Sequence, residues 1–155
     1  MNLEVDSFPA GETYPESQLP KMGKIAMKVL SIKDEEFYEG MGKYFVTLAK
    51  DAGYENTLLA LGRRIRDFYL NLDNLHDYLK YTFPKMKAPS FFIESEDENG
   101  LHMQYRTRRK GFHFYVQGQV VRIETRVYVF SVIFLTKIHA GEGACKNAVY
   151  SHQAI

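Results

Sequence analysis

Two groups of residues in this 155-residue chain have types and spacing that could do chemistry. His76 follows Leu72 by four residues and precedes Leu79 by three, the spacing of one helical face. A histidine on such a face has lost much of its water and needs partners for both ring nitrogens. A core imidazole bonded to backbone is one reading. The other is an iron ligand, on a helix whose aliphatic neighbours, Leu79 among them, back a flat porphyrin. The second group is Tyr105, Thr107 and Arg109. Strand alternation places them on one face with Leu101 and Met103, and puts His102, Gln104, Arg106 and Arg108 on the other. A guanidinium on the apolar face is expected to have an anionic partner. A protein carboxylate, water at the strand end, or the acid groups of a bound ligand would each serve. A phenol, a hydroxyl and a guanidinium in one row suit a pair of haem propionates.

Other chemistries find little support. There is no Gly-rich phosphate loop, zinc-type Cys/His spacing, nucleophile elbow or paired-carboxylate motif, so intrinsic catalysis is not expected. The basic run Arg106 to Lys110 has aromatic neighbours and could be read as a nucleic-acid patch. A net charge of +1 argues against that partner and against an anionic membrane surface, and a solvated strand edge accounts for Arg106, Arg108 and Lys110. The lone Cys145 cannot form an internal disulfide, and the polar start lacks an apolar signal core, so a cytoplasmic location is expected. The most apolar run, Val127 to Leu135, is far shorter than the roughly 20 residues a spanning helix needs and reads as a buried strand or helix piece. With 45% hydrophobic residues, 25% charged, and eleven each of Tyr and Phe, one aromatic-rich core is expected.

The elements that must position these groups change character at Pro84. Pro9, Pro15 and Pro20 make residues 1–20 a leader loop, with room for one short strand. Met22, Ile25, Ala26, Val29 and Leu30 then recur at helical spacing, and Ser31 followed by Asp34 offers a cap for a second helix with the stripe Phe37, Met41, Phe45 and Leu48, stopped by Gly53. Asn56 can cap a third, running through Leu58, Leu61, Ile65, Phe68, Leu72, His76, Leu79 and Phe83. Past Pro89 the period becomes that of strands, with Ser90 to Glu94 and Leu101 to Arg109 forming a hairpin around Ser95 to Gly100. Phe112 to Val121 fits helix or strand, and Glu142 to Ile155 has no convincing period. The fold class is α+β, a helical part carrying the ligand followed by an antiparallel sheet.

The motifs Leu72-Asp73-Asn74-Leu75-His76-Asp77-Tyr78-Leu79 and Phe83-Pro84-Lys85-Met86-Lys87-Ala88-Pro89-Ser90-Phe91 resemble the proximal-histidine region of the H-NOX family. These are the haem nitric oxide/oxygen binding domains of soluble guanylate cyclase β-type subunits and bacterial gas sensors. The family's Tyr-x-Ser-x-Arg propionate signature stands here as Tyr105-Arg106-Thr107-Arg108-Arg109, with threonine keeping the hydroxyl. Similar segments run from Met41 to Phe45, through Gly53-Tyr54, to Leu61-Gly62.

The resemblance implies haem b as cofactor, His76 on the iron, Pro89 pressing on the porphyrin, and Phe45 in the distal pocket. Tyr115 falls at about the position where oxygen-holding members carry a tyrosine. It implies a sensor of nitric oxide, or of oxygen, that regulates a guanylate cyclase in cGMP signalling, with another cyclase subunit as partner and the catalytic domain elsewhere. Nitric oxide binding would weaken the iron–histidine bond and release the helix to signal. The alternative is a haem-free interaction module or nonfunctional isoform of the same family. The boundaries expected are a leader over 1–20, a partial H-NOX domain over 21–125, incomplete at both ends, and a divergent tail over 126–155.

Overall fold

The computed structural model describes residues 7–9, 12–97, 100–107, 109, 112–127, 133–140 and 144–146, with side chains described as far as residue 123. It divides into two compact units, Met1–Phe37 and Tyr38–Ile155. The α-helices described are α1 (Gln18–Leu30), α2 (Asp34–Ala49), α3 (Glu55–Ala60), α4 (Ile65–Thr82) and α5 (His113–Val127), with a wide π-helical turn at Lys50–Tyr54 between α2 and α3, and the strands described are β1 (Ser90–Asp97), β2 (Gly100–Thr107), β3 (Ile133–Ala140) and β4 (Ala144–Lys146). No helix among the described residues is long and apolar enough to cross a membrane.

In the first unit, α1 begins at Gln18 rather than after Pro20, because a proline in the first helical turn removes no intrahelical hydrogen bond. No strand precedes it among the described residues. Ser31 ends α1 in a left-handed conformation, φ 55°, instead of capping α2. Met27 and Gly23 are the buried residues of α1, while Val29 and Leu30 of the expected stripe are exposed. Apolar residues cover more than half of the circumference of this helix, opposite Lys21, Lys24 and Lys28, so spacing alone did not choose which of them would be buried.

The second unit is built on α4. Gly53 breaks the wide turn that follows α2 with φ 86°, as its position predicts. The helix expected from Leu58 to Phe83 is two: Asn56 lies inside α3, and the chain bends at Gly62, where an added Cβ would sit 2.6 Å from Phe68 N and Asp67 Cβ. Asn71 braces the corner, donating from Nδ2 to the carbonyls of Leu61 (2.8 Å) and Asp67 (3.0 Å). Arg64 restarts the chain into α4 in extended conformation, its guanidinium forked onto Asp67 at 3.1 and 3.2 Å. Pro84 follows the end of α4 at Thr82, as proline must where a helix stops.

Ile65, Phe68 and Tyr69 of α4 join Leu101, Met103 and Tyr105 of β2 and Val116 and Val120 of α5 in one core. Each such buried side chain contributes about 1.5–3 kcal/mol. The sheet order is β1-β2-β3-β4. The expected hairpin is present, pairing Phe91 with Tyr105 and Ile93 with Met103, with a bulge between Ile93 and Ser95. The sheet is not antiparallel throughout, since β3 joins β2 in parallel, with α5 as the long crossover such pairing requires. Val127 to Leu135 is accordingly divided, its ends in α5 and β3, with 128–132 outside the described residues. In the tail only β3 and β4 are described.

Candidate functional site

His76 lies on the inner side of α4 with its side chain 19% exposed. Its Nδ1 is buried and makes no hydrogen bond among the described residues, although it faces Asp73 Oδ1 at 3.7 Å, and the ring also interacts with the Pro89 carbonyl. Burial pushes the imidazole pKa below its ordinary value; the Asp73 carboxylate and the Pro89 carbonyl oppose that shift without cancelling it, and Lys80 adds to it slightly. The ring is therefore neutral at pH 7, the form that binds metals. The Phe91 ring stacks beside it, with centroids 6.2 Å apart and planes at 28°. Leu79 and Pro89 are both partly buried.

Phe91 leads onward, because its cross-strand partner is Tyr105, with centroids 5.3 Å apart. A single aromatic ring thus stands between His76 and Tyr105. Tyr105 is 2% exposed, and burial raises its pKa, opposed by a hydrogen bond with Thr107 and by the charge of Arg109. His76 and Tyr105, one from each group singled out in the sequence, therefore belong to one continuous assembly.

Arg109 departs from its expected position. It is not on the buried strand face: β2 ends at Thr107, and Arg109 stands exposed in a bend. Its backbone N–H donates to Thr107 Oγ1 at 3.2 Å, which turns the chain out of the strand direction. Its guanidinium rests 5.6 Å from the Phe112 ring centroid, and among the described residues no ion pair holds it. Of the partners the sequence left open, a protein carboxylate is not found for it among the described residues. Gln104 is buried although its face was expected to be polar, since β2 is a central strand, and its Oε1 accepts from Arg106 Nε at 2.6 Å. Arg108, Lys110 and Gly111 lie outside the described residues.

Phe112 to Val121 resolves as helix and sets the far side of the assembly. Tyr115 meets Phe112 at 5.4 Å and Phe45 at 5.9 Å between centroids. Burial raises the Tyr115 pKa strongly, with a small addition from Tyr105 and a small opposing effect of Arg109, so the phenol remains a protonated donor at neutral pH. Phe45 is 45% exposed. Sequence spacing missed what fixes these two rings: Gly42 of α2 lies against the Tyr115 carbonyl and Gly118 of α5 against the Glu39 carbonyl, the positions of added Cβ atoms being 1.9 and 2.0 Å from those oxygens. A glycine in each of two helices that must cross is the only signal that could have shown it.

The residues present fit a haem: a neutral imidazole whose Nδ1 is turned to the Asp73 carboxylate, a phenol, a hydroxyl, and a cation that no protein anion holds among the described residues. The family model described as "Haem-NO-binding" (HNOB) matches residues 1–132. The chain belongs to the haem-NO-binding, or H-NOX, family. It is 34% identical over 131 residues to soluble guanylate cyclase gcy-33 of Caenorhabditis elegans, a match covering 84% of this chain and 14% of the relative. It is 34% identical over 128 residues to gcy-31 of the same organism, covering 83% and 18%. To guanylate cyclase soluble subunit beta-2 of Rattus norvegicus it is 36% identical over 77 residues, covering 50% and 11%. This H-NOX chain thus spans less than a fifth of the length of these curated relatives. The Fe(II) unliganded H-NOX protein from K. algicida has the same fold, with a TM-score of 0.65 and 17% identity over 80% of this chain and 65% of that one; a single-residue variant of it gives 0.69 and 18%, over 87% and 72%. The family match extends beyond Met22 to Val121, the span that carries the motifs.

The lowered His76 pKa has a consequence for the haem-free chain. Between its folded value and the ordinary value near 6.5, the unfolded chain binds more protons, so stability rises with pH across that window and falls on acidification through it. His76→Gln is expected to flatten that part of the stability profile, measured by urea unfolding at a series of pH values. An unchanged slope would contradict the burial of a neutral ring.

Proposed function

We propose that this H-NOX chain is the gas-sensing module of a soluble guanylate cyclase of β type, holding haem b through His76 and reporting nitric oxide, with oxygen the second gas it suits. The reading rests on the neutral His76 imidazole standing one aromatic ring away from Tyr105, whose hydroxyl is influenced by the Thr107 side chain and the Arg109 charge. Haem supplies the iron at which a diatomic gas binds. His76 would ligate it, Tyr105, Thr107 and Arg109 would bind its acid groups, and Pro89 and Leu79 would flank it on the side of α4. Phe45 and Tyr115 would line the opposite side.

Catalysis by the cyclases is proposed to reside outside this chain, in another segment or in a partner subunit. α4 is the element suited to transmit the signal, because it carries His76 and its Asp73 accepts a hydrogen bond from β1 at 3.3 Å. A cytoplasmic location accords with the names of the relatives, which are soluble cyclases.

Oxygen binding rests on Tyr115, a protonated phenol packed on Phe45. Removing its hydroxyl costs about 1 kcal/mol of ligand stabilisation, about a fivefold change. Tyr115→Phe is therefore expected to speed oxygen dissociation from the ferrous protein about fivefold while nitric oxide binding persists. An ultraviolet-visible spectrum unaltered by air in the unmutated ferrous protein would remove oxygen from the proposal and leave nitric oxide.

A further inference from the structure

Asp73 is the carboxylate nearest to the chemistry that has no role in the account above beyond an interelement hydrogen bond. Its Oδ1 accepts the Phe91 backbone N–H at 3.3 Å and stands 3.7 Å from His76 Nδ1, the buried nitrogen that makes no hydrogen bond. Phe91, whose N–H it holds, is also the residue whose ring stacks on His76. One oxygen therefore faces both the α4 imidazole and the first residues of β1. At 3.7 Å the His76 contact is too long for a hydrogen bond, but it is close enough for the negative charge to favour a proton on Nδ1.

We propose that Asp73 is the positioning residue of the metal site: it keeps the His76 proton on Nδ1, leaves Nε2 as the coordinating nitrogen, and ties the orientation of that ring to the seam between α4 and β1. The inference rests on the reading of His76 as the iron ligand. Metal-bound histidines commonly donate their second N–H to a carboxylate or carbonyl, and loss of that partner costs 10–100-fold in metal affinity. Asp73 is the carboxylate that faces Nδ1 and is placed to do this.

The seam has a second, remote contact that serves as a control. Arg66 Nε pairs with Glu96 Oε2 at 3.2 Å, across the same two elements but seven and ten residues away from Asp73 and His76 along α4. Arg66→Ala loosens the seam without touching the ring.

The test reads the His76 tautomer in the haem-free full chain by nitrogen-15 NMR, in the unmutated protein, Asp73→Asn, Asp73→Ala and Arg66→Ala. The unmutated chain and Arg66→Ala are expected to hold the proton on Nδ1. Asp73→Asn should accept the Phe91 N–H with its amide oxygen and keep the seam, yet move the proton part of the way to Nε2. Asp73→Ala should move it further and speed exchange of the Phe91 amide. After haem reconstitution, Asp73→Ala is expected to lower haem affinity about 10–100-fold. An Nε2 proton in the unmutated chain, or equal shifts in Arg66→Ala and Asp73→Asn, would overturn the proposal. A chain with the Nδ1 proton that takes up no haem would overturn the ligand reading instead.

Discussion

Replacing His76 with glycine is expected to strip the protein of five-coordinate haem, and imidazole added to the medium is expected to restore it. The effect is local. His76 lies seven or more residues along α4 from Ile65, Phe68 and Tyr69, which carry the buried packing of that helix. Removing the ring therefore leaves the core standing, at a helix-propensity cost of about 1 kcal/mol. It also leaves a space of imidazole shape beside Phe91, Asp73 and the Pro89 carbonyl, with the acceptors still in place. A small molecule with the same two nitrogens can occupy it. Circular dichroism establishes that the variant is folded, and the Soret band before and after imidazole gives the result. A five-coordinate ferrous spectrum in the glycine variant without imidazole would show that another group binds the iron.

Gly42→Ala is expected to destabilise the fold more than any other single methyl addition in α2, and Gly40→Ala, two residues away, to stabilise it. Both substitutions replace a helical glycine and so gain up to about 1 kcal/mol of propensity. At Gly40 an added Cβ meets nothing within 4 Å, whereas at Gly42 it would lie 1.9 Å from the Tyr115 carbonyl oxygen and 2.9 Å from its carbon. Backbone cannot rotate aside as a side chain can, so α2 and α5 must separate. Overpacking of this kind costs about 1–3 kcal/mol and occasionally more, enough to outweigh the propensity gain. The separation would also open the contact of Phe45 with Tyr115, altering the proposed gas site together with stability. Urea unfolding of the three proteins decides it: equal midpoints for both variants would mean that the helices do not cross as closely as the glycines indicate.

The chemistry was legible in the sequence because it resides in side-chain types at short spacings. His76 needed only Leu72 and Leu79 to define its face, and Tyr105 only the alternation through Leu101 and Met103, all three of which are buried. The hairpin and the stop at Pro84 were legible for the same reason. Arg109 was not: the alternation rule carried it onto the buried face, but the bond from its own N–H to Thr107 Oγ1 ends the strand two residues sooner. Gly62 was overlooked because Leu61 and Ile65 keep helical spacing across it, while the obstruction comes from Asp67 and Phe68. The apolar run that enters the third strand was visible as strand or helix, but its parallel pairing with β2 follows from no local signal, since β2 lies across the whole of α5. Asp73 could have been noticed as a carboxylate three residues before the histidine, on the same helical face, but its bond to Phe91 depends on where β1 passes.

The most direct measurement is the haem content and Soret spectrum of the purified full chain after reconstitution, recorded without and with nitric oxide. One haem per chain and a band displaced by the gas are the predicted result. A chain that circular dichroism shows to be folded, yet that takes up no haem at any excess, would contradict the account and leave a haem-free interaction module in its place.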